Sequence, residues 1–253
     1  MYFVDKVLYV CVSLSPNGGE HERGVTPVSE CNARADVYTA ASTIGGRDFV
    51  KRAGDLAICL LTLPVTIPAM FIIGLAIRLD SPGPALFSQI RIGRDSCPFR
   101  LYKFRTCQKD HDPSEDLDFM RAYIEGHPLC GGSSAAMFKP DHRGETTRVG
   151  RLLRATSLDE LPQLINVLRG EMSLVGPRPN VPEEVELYLP HHRKRLTVLP
   201  GITGLAQIMG RSNLTFEQIV AYDIEYIKHR NLGTDLLILL RTVITLFRRT
   251  GVA

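Results

Sequence analysis

The chain carries twenty-two consecutive residues without a charge, Leu56 to Ile77 (LAICLLTLPVTIPAMFIIGLAI), and no other feature constrains its fold as strongly. At about 1.5 Å per residue they form roughly 33 Å of helix, enough to cross the hydrocarbon of a bilayer. Two features argue against a plain crossing. Pro64 and Pro68 lie near the middle, where each removes a backbone hydrogen bond and crowds the preceding turn. Lys51 and Arg52 precede the segment and Arg78 follows it, so the preference of cations for the cytoplasmic side pulls both ends to one face. A helix that enters the membrane, breaks near Pro64 and returns satisfies both, with the Thr62 and Thr66 hydroxyls available to the freed backbone groups. A bent single span and a buried core helix are the alternatives. Asp55 at the start either complements the helix dipole or pairs with Lys51 or Arg52.

Charge and cysteine usage narrow the rest. Of 253 residues with net charge +3, residues 1–50 hold four Lys/Arg against six Asp/Glu, leaving the remainder basic. That balance suits an anionic membrane surface, and no arginine-rich arm, zinc-finger spacing or aromatic-basic signature points to nucleic acid. Six scattered cysteines without a C-x-x-C pair fit a reduced, cytoplasm-facing body. His191-His192 has no metal-ligand spacing around it and reads as solvated surface. Residues 1–48 lack sustained periodicity and read as a variable, structureless extension. Residues 108–147, acidic and then Gly/Ser-rich, read as a surface insertion or lid.

After Asp80-Ser81-Pro82-Gly83-Pro84, two alternating runs surround Gly93-Arg94-Asp95-Ser96 as a β-hairpin. The two-residue period puts Lys103 and Arg105 on one face, where paired cations can clamp a diphosphate or simply face solvent. Further on, Ser157 and Glu160 stand three apart ahead of Leu161, Leu164, Ile165 and Leu168, the pattern of a capping box opening an amphipathic helix. Asp159 and Glu160 then fall in its first turn, where acidic residues are at home for dipole reasons alone. Arg148, Arg151 and Arg154 recur every three residues nearby and can hold phosphate oxygens. An ionised Asp159 beside such cations has the chemistry of a nucleophile, and Glu160 that of a Mg²⁺ ligand. Gly176-Pro177-Arg178-Pro179 is a rigid turn presenting one guanidinium.

Taken together, KRAGDLAICLLTLP, FSQIRIG, YKFRT, TRVGRLLRATSLDELPQL, SLVGPRP, LPGITGLAQIMGR and YDIEYIKHRNLGTDLLILLRTV resemble the bacterial sugar transferases, the monotopic polyprenyl-phosphate phosphoglycosyl transferases. The resemblance covers about residues 49–250. It implies an α+β, mainly helical chain: a re-entrant, kinked membrane helix over 49–80, then a cytosolic catalytic domain over 81–253 with a small β-hairpin and interfacial amphipathic helices. It implies Asp159 as the nucleophile of a covalent phosphosugar intermediate and Glu160 as its metal-binding neighbour, with Mg²⁺ as cofactor. Arg154, Lys103 and Arg105 become substrate-binding cations, Pro177, Arg178 and Pro179 the nucleotide-contacting loop, and Pro64 the membrane break. A UDP-hexose and polyprenyl phosphate are the implied substrates, later glycosyltransferases the implied partners, and the cytoplasmic face of a bacterial inner membrane the implied location. Two positions depart from the family pattern, Leu63 where Ser often precedes the proline and Cys107 where Met is usual. The stretch Leu236 to Phe247, edged by Arg241, Arg248 and Arg249, is too short to span and reads as an interfacial or a core helix; Lys194 and Arg195 would extend its footing or face solvent.

Overall fold

A computed structural model describes residues 46–107, 121, 123–124, 146–210 and 214–247. Most of the extension, most of the insertion, and Arg248 and Arg249 lie outside the described residues. Among those described, the chain is mainly helical with two small two-stranded sheets. The long helix α1 (Gly46–Asp80) is followed by the antiparallel hairpin of β1 (Leu86–Ile92) and β2 (Pro98–Phe104). Then come α2 (Arg148–Thr156), a 3₁₀ turn (Leu158–Glu160), α3 (Gln163–Arg169) and β3 (Ser173–Val175). Helix α4 (Pro182–Glu186) and a second 3₁₀ turn (His192–Thr197) lead to β4 (Gly201–Thr203), which pairs parallel with β3. Helices α5 (Leu205–Met209), α6 (Phe216–His229) and α7 (Leu232–Phe247) close the fold.

Helix α1 runs unbroken through Pro64 and Pro68, so the break expected at Pro64 does not form as an interruption. Four residues apart, the prolines lie on one face, so both missing hydrogen bonds fall on one side; that arrangement favours bending over termination. Nor do the threonines serve the freed carbonyls of Leu60 and Pro64. Thr62 Oγ1 donates to Ile58 and Cys59 carbonyls at 3.0 Å, and Thr66 Oγ1 has no hydrogen-bond partner among the described residues.

Both ends of α1 pack on the same body. Near its start, Arg52 donates to the carbonyls of Val167 (2.6 Å) and Leu168 (3.2 Å) at the α3 C-terminus, where the last carbonyls lack full intrahelical partners. Asp55, read as a dipole or Lys/Arg partner, is buried against β3, accepting from Ser173 Oγ at 2.7 Å and Leu174 N at 3.4 Å, while also interacting with the charges of Lys51 and Arg52. Lys51 reaches Asp235 of α7 at 2.6 Å, and the Tyr226 hydroxyl donates to the same carboxylate at 2.7 Å. Cys59 enters the largest core cluster with Leu101, Val167, Met172, Val175, Tyr226 and Ile238. Toward its end, Ile77 packs with Phe104 and Leu153, with Met70 and Ile73 alongside. Between these docks the helix is largely bare, with Leu61, Val65, Phe71 and Ile72 exposed.

A further cluster joins Ile92, Val185, Tyr188, Phe216 and Val220 to Tyr123 and Ile124. The stretch read as a surface insertion thus contributes two buried side chains. Helix α6 opens with a real capping box, Gln218 N donating to Thr215 Oγ1 (3.3 Å) and Thr215 N to Gln218 Oε1 (2.9 Å).

Gly150 allows α2 to lie against the end of β2, since a Cβ there would stand 2.1 Å from the Thr106 carbonyl oxygen. Although Ala is the better helix former, Gly150→Ala lowers stability by about 2–3 kcal/mol, because backbone cannot move aside for the added methyl. Denaturant titration of the variant checks this; a neutral or stabilising outcome would show the contact to be loose.

Candidate active site

The acidic pair is displayed differently from the sequence expectation. Thr147 caps α2, its Oγ1 accepting from Gly150 N at 2.9 Å, and the helix ends at Ser157 in the left-handed region (φ 56°, ψ 19°). Ser157 makes no side-chain cap, so the capping box with Glu160 does not form. The reason is Pro162: without an N–H it cannot sit inside a helix begun at Leu158, and the next helix starts only beyond it. Asp159 and Glu160 are therefore carried on a single 3₁₀ turn between two helices. A non-glycine residue held at positive φ two positions before Asp159 is the kind of local strain that surrounding structure must enforce.

Around this turn stand Arg178, Lys103 and Arg91. Arg178, half-exposed on the Pro-Arg-Pro loop, donates to Glu160 Oε1 at 3.0 Å, and the carboxylates of Glu160 and Asp159 hold its guanidinium above the ordinary arginine value. Lys103 on β2 also feels Asp159; burial, reinforced by Arg91 and Arg178, pushes its ammonium down to about 8. The hairpin register pairs Lys103 with Phe87, and the ammonium lies 4.9 Å from that ring's centroid, a cation–π contact. Arg91, two steps of the pleat from Phe87 on the same face, is the third cation, lowered to about 10 chiefly by burial and sensing Glu184, Arg178 and Glu160. It donates to the Pro179 carbonyl (3.3 Å) and to Gln89 Oε1 (2.8 Å), binding hairpin to loop.

The loop is fixed from behind. Ile92 N donates to Asn180 O (2.9 Å), Gly201 N to Pro177 O (2.9 Å), and buried Arg195 to Arg178 O (3.4 Å). Asn180 is in turn hydrogen-bonded to the buried Glu184 carboxylate. Pro177 and Pro179 are themselves buried, so of the three loop residues Arg178 alone offers a side chain to the surface.

Two of the expected cations hydrogen-bond to the protein's own groups, although Arg154 stays near enough to Lys103 to act on its charge. Arg105 is buried and donates to the carbonyls of Pro82 (2.7 Å) and Ser81 (2.9 Å) and to Ser81 Oγ (2.7 Å). Lying one residue beyond the strand, it locks the link between α1 and β1, and the Lys103–Arg105 clamp is not assembled. Arg154 donates to Thr106 Oγ1 (3.0 Å), Thr146 Oγ1 (3.4 Å) and Cys107 Sγ (3.0 Å), tying α2 to the end of β2. Arg195, read as a membrane footing, is buried in an ion pair with Asp223 at 2.7 Å. Sequence reasoning gave Arg91 no role, although its place in the alternating run FSQIRIG, in step with Phe87, the residue opposite Lys103, was a usable signal.

The carboxylate oxygens suit a hard cation such as Mg²⁺, which takes one or two carboxylates and completes its shell with phosphate and water. Arg178 engages Oε1 of Glu160, leaving Oε2 available, so the donor set fits. His191, His192 and Glu217 form a second group with ligand atoms within 4.8 Å of one another. His192, expected at the surface, is buried, and its Nδ1 accepts from Leu189 N at 3.1 Å. The hydrogen-bond network thus assigns the proton to Nε2, which faces Glu217 Oε1 at 2.7 Å, an arrangement that opposes metal ligation there.

Known proteins resemble the chain over most of its length. Residues 46–249 match the family described as bacterial sugar transferase. The chain is 41% identical over 206 residues to a UDP-glucose:undecaprenyl-phosphate glucose-1-phosphate transferase of Caulobacter vibrioides, covering 78% of this chain and 69% of that protein. It is 36% identical to the undecaprenyl-phosphate galactose phosphotransferase of Salmonella typhimurium, over 80% of this chain and 41% of the relative. It is 35% identical to the exopolysaccharide production protein ExoY of Sinorhizobium fredii, over 81% of this chain and 87% of the relative. The match over most of the chain, together with an acidic pair set among Lys103, Arg91 and Arg178, means that the protein belongs to the bacterial sugar transferase family and is a phosphoglycosyl transferase.

Proposed function

We propose that the protein transfers a hexose-1-phosphate from a UDP-sugar to a polyprenyl phosphate, through a covalent phosphosugar on Asp159, and so initiates assembly of an exopolysaccharide or related glycan. The observation that carries this reading is the Asp159–Glu160 turn flanked by Lys103 and Arg178, one carboxylate set among cations on a surface open to substrate. The printed activities of the Caulobacter and Salmonella relatives support the reaction class and the lipid acceptor.

In the first step an Asp159 oxygen bonds to the sugar-bearing phosphorus while the bridging P–O bond breaks, and UMP departs with the electron pair. In the second, a phosphate oxygen of the lipid bonds to the same phosphorus and the Asp159 carboxylate leaves, regenerating the enzyme. Lys103, Arg178 and Arg91 orient the diphosphate and offset the charge that repels an incoming carboxylate. Glu160 would hold Mg²⁺, which when bound neutralises diphosphate charge.

The membrane supplies the acceptor, and one long apolar helix fits membrane association. A re-entrant path for α1, on the cytoplasmic face of a bacterial inner membrane, is supported by the packing of residues near Asp55–Cys59 and near Met70–Ile77 against one body. A body on one side of a bilayer can touch both regions only if both lie at that side. Helix α7 exposes Leu236, Leu237, Leu240 and Val243, as an interfacial helix does, and later glycosyltransferases would act on the lipid-linked product.

The test is UMP release from a panel of UDP-sugars with and without polyprenyl phosphate. One donor should give sustained UMP release with lipid and a single stoichiometric burst without it. Continuous release in the absence of lipid would make the enzyme a hydrolase and sink the two-step reading. Lys103 adds a pH signature. Its ammonium is charged below about 8 and neutral above, so donor KM rises as pH climbs past about 8. Lys103→Arg, charged throughout that range, removes the inflection; its persistence would assign the titration elsewhere.

A further inference from the structure

We propose that the cavity between the start of α1 and the α6–α7 corner is a binding site for the head group of an anionic bilayer phospholipid, separate from the Asp159 site. The cavity has a volume of about 500 Å³, within the range that holds small ligands, and none of its lining residues belongs to the acidic turn, the hairpin or the Pro-Arg-Pro loop. Its lining brings together Lys51, Lys228, His229 and Arg230 with the carboxylate of Asp48, and Glu225, outside the lining, pairs with His229 at 3.3 Å. That carboxylate is already committed, accepting from Arg230 Nη2 at 2.9 Å with Arg94 Nη1 3.9 Å away. Lys51 is likewise held by Asp235 at 2.6 Å, whereas Lys228 is exposed and forms no ion pair among the described residues. An anion entering the cavity therefore meets the Lys228 ammonium, beside cations that already have carboxylate partners.

The surroundings select a lipid over a free anion. Phe49 and Val50 beside the cavity are 65% and 47% exposed, and Leu232 and Leu236 across it are 50% and 57% exposed. Leu232 packs at Gly54 of α1, so the two bare apolar faces meet at the cavity rather than on opposite sides of the molecule. A phosphodiester among the cations would leave its acyl chains lying against these faces, so that one molecule satisfies charge and apolar surface together. The polyprenyl phosphate substrate shares the phosphate chemistry, but its phosphorus-attacking oxygen must reach Asp159, and this cavity contains no residue of that site.

The experiment is native mass spectrometry of the full chain released from bilayers of equal parts phosphatidylglycerol and phosphatidylcholine. Wild type should retain one phosphatidylglycerol in preference to phosphatidylcholine. At about a fivefold effect per surface charge, Lys228→Gln lowers that retention roughly fivefold and Lys228→Glu roughly thirtyfold, while Lys194→Glu, exposed elsewhere, leaves it unchanged. Equal retention of the two lipids, undiminished retention in Lys228→Glu, or an equal loss in Lys194→Glu overturns the proposal. So does displacement of the bound phosphatidylglycerol by stoichiometric polyprenyl phosphate, which would reassign the cavity to the acceptor. The measurement reads lipid retention and not turnover, so its failure would leave the Asp159 chemistry standing.

Discussion

An Asp159→Asn enzyme folds and enters membranes normally but loses turnover by at least roughly 10⁴-fold, the scale seen when the nucleophile of a covalent mechanism is removed. The amide retains size and hydrogen-bonding capacity but cannot donate a carboxylate oxygen to phosphorus, so neither the UMP burst nor a trapped phosphosugar adduct forms. Glu160→Gln gives a different signature. It loses the charge that pairs with Arg178 at 3.0 Å and the oxygen offered to Mg²⁺, so turnover falls while the adduct still accumulates slowly. Adduct mass spectrometry with the cognate UDP-sugar separates the two. An Asp159→Asn protein that still builds lipid-linked sugar at the normal rate would end the covalent reading, whatever the family resemblance.

The largest stability effect is expected at Asp223→Ala, about 3–5 kcal/mol, because it leaves a buried guanidinium without its counter-charge. Arg195 and Asp223 side chains are each 3% exposed and 2.7 Å apart, and Arg195 also donates to the Tyr188 hydroxyl at 2.6 Å. Water cannot reach the orphaned charge, so the variant must either distort or deprotonate a group that resists it. The double variant Arg195→Met/Asp223→Leu removes both charges and should recover most of the loss. Urea titration in detergent compares the three proteins. A single variant within 1 kcal/mol of wild type would show the pair to be hydrated, on the principle that exposed ion pairs contribute only about 0–1 kcal/mol. Because Arg195 also donates to the Arg178 carbonyl, the double variant should keep its stability yet bind the donor more weakly.

These two residues illustrate what was legible in advance. Asp159 stood out because a run of local signals, an acidic pair flanked by arginines and followed by an apolar period, points to chemistry without reference to distant parts of the chain. Asp223 gave no such signal: within α6 it is one polar residue among several, and its importance comes from Arg195, twenty-eight positions away. The same distinction explains the misplaced cations. Arg105, Arg154 and Arg195 are cationic side chains like Lys103 and Arg178, but composition cannot say whether a guanidinium faces a substrate or ties two backbones together. The Ser157–Glu160 capping box failed for a local reason, Pro162, which was visible but outweighed by a familiar pattern.

By itself the sequence determined the apolar helix over residues 56–77, the hairpin around Gly93–Ser96 and the acidic pair, since each rests on periodicity, turn chemistry or charge within a short window. Tertiary structure alone decided which cations surround Asp159, that Asp55 is buried against Ser173, and that both ends of α1 dock on one body. Those outcomes depend on contacts between residues far apart in the chain, and loop closure and burial at such separations leave no periodic trace in the order of residues.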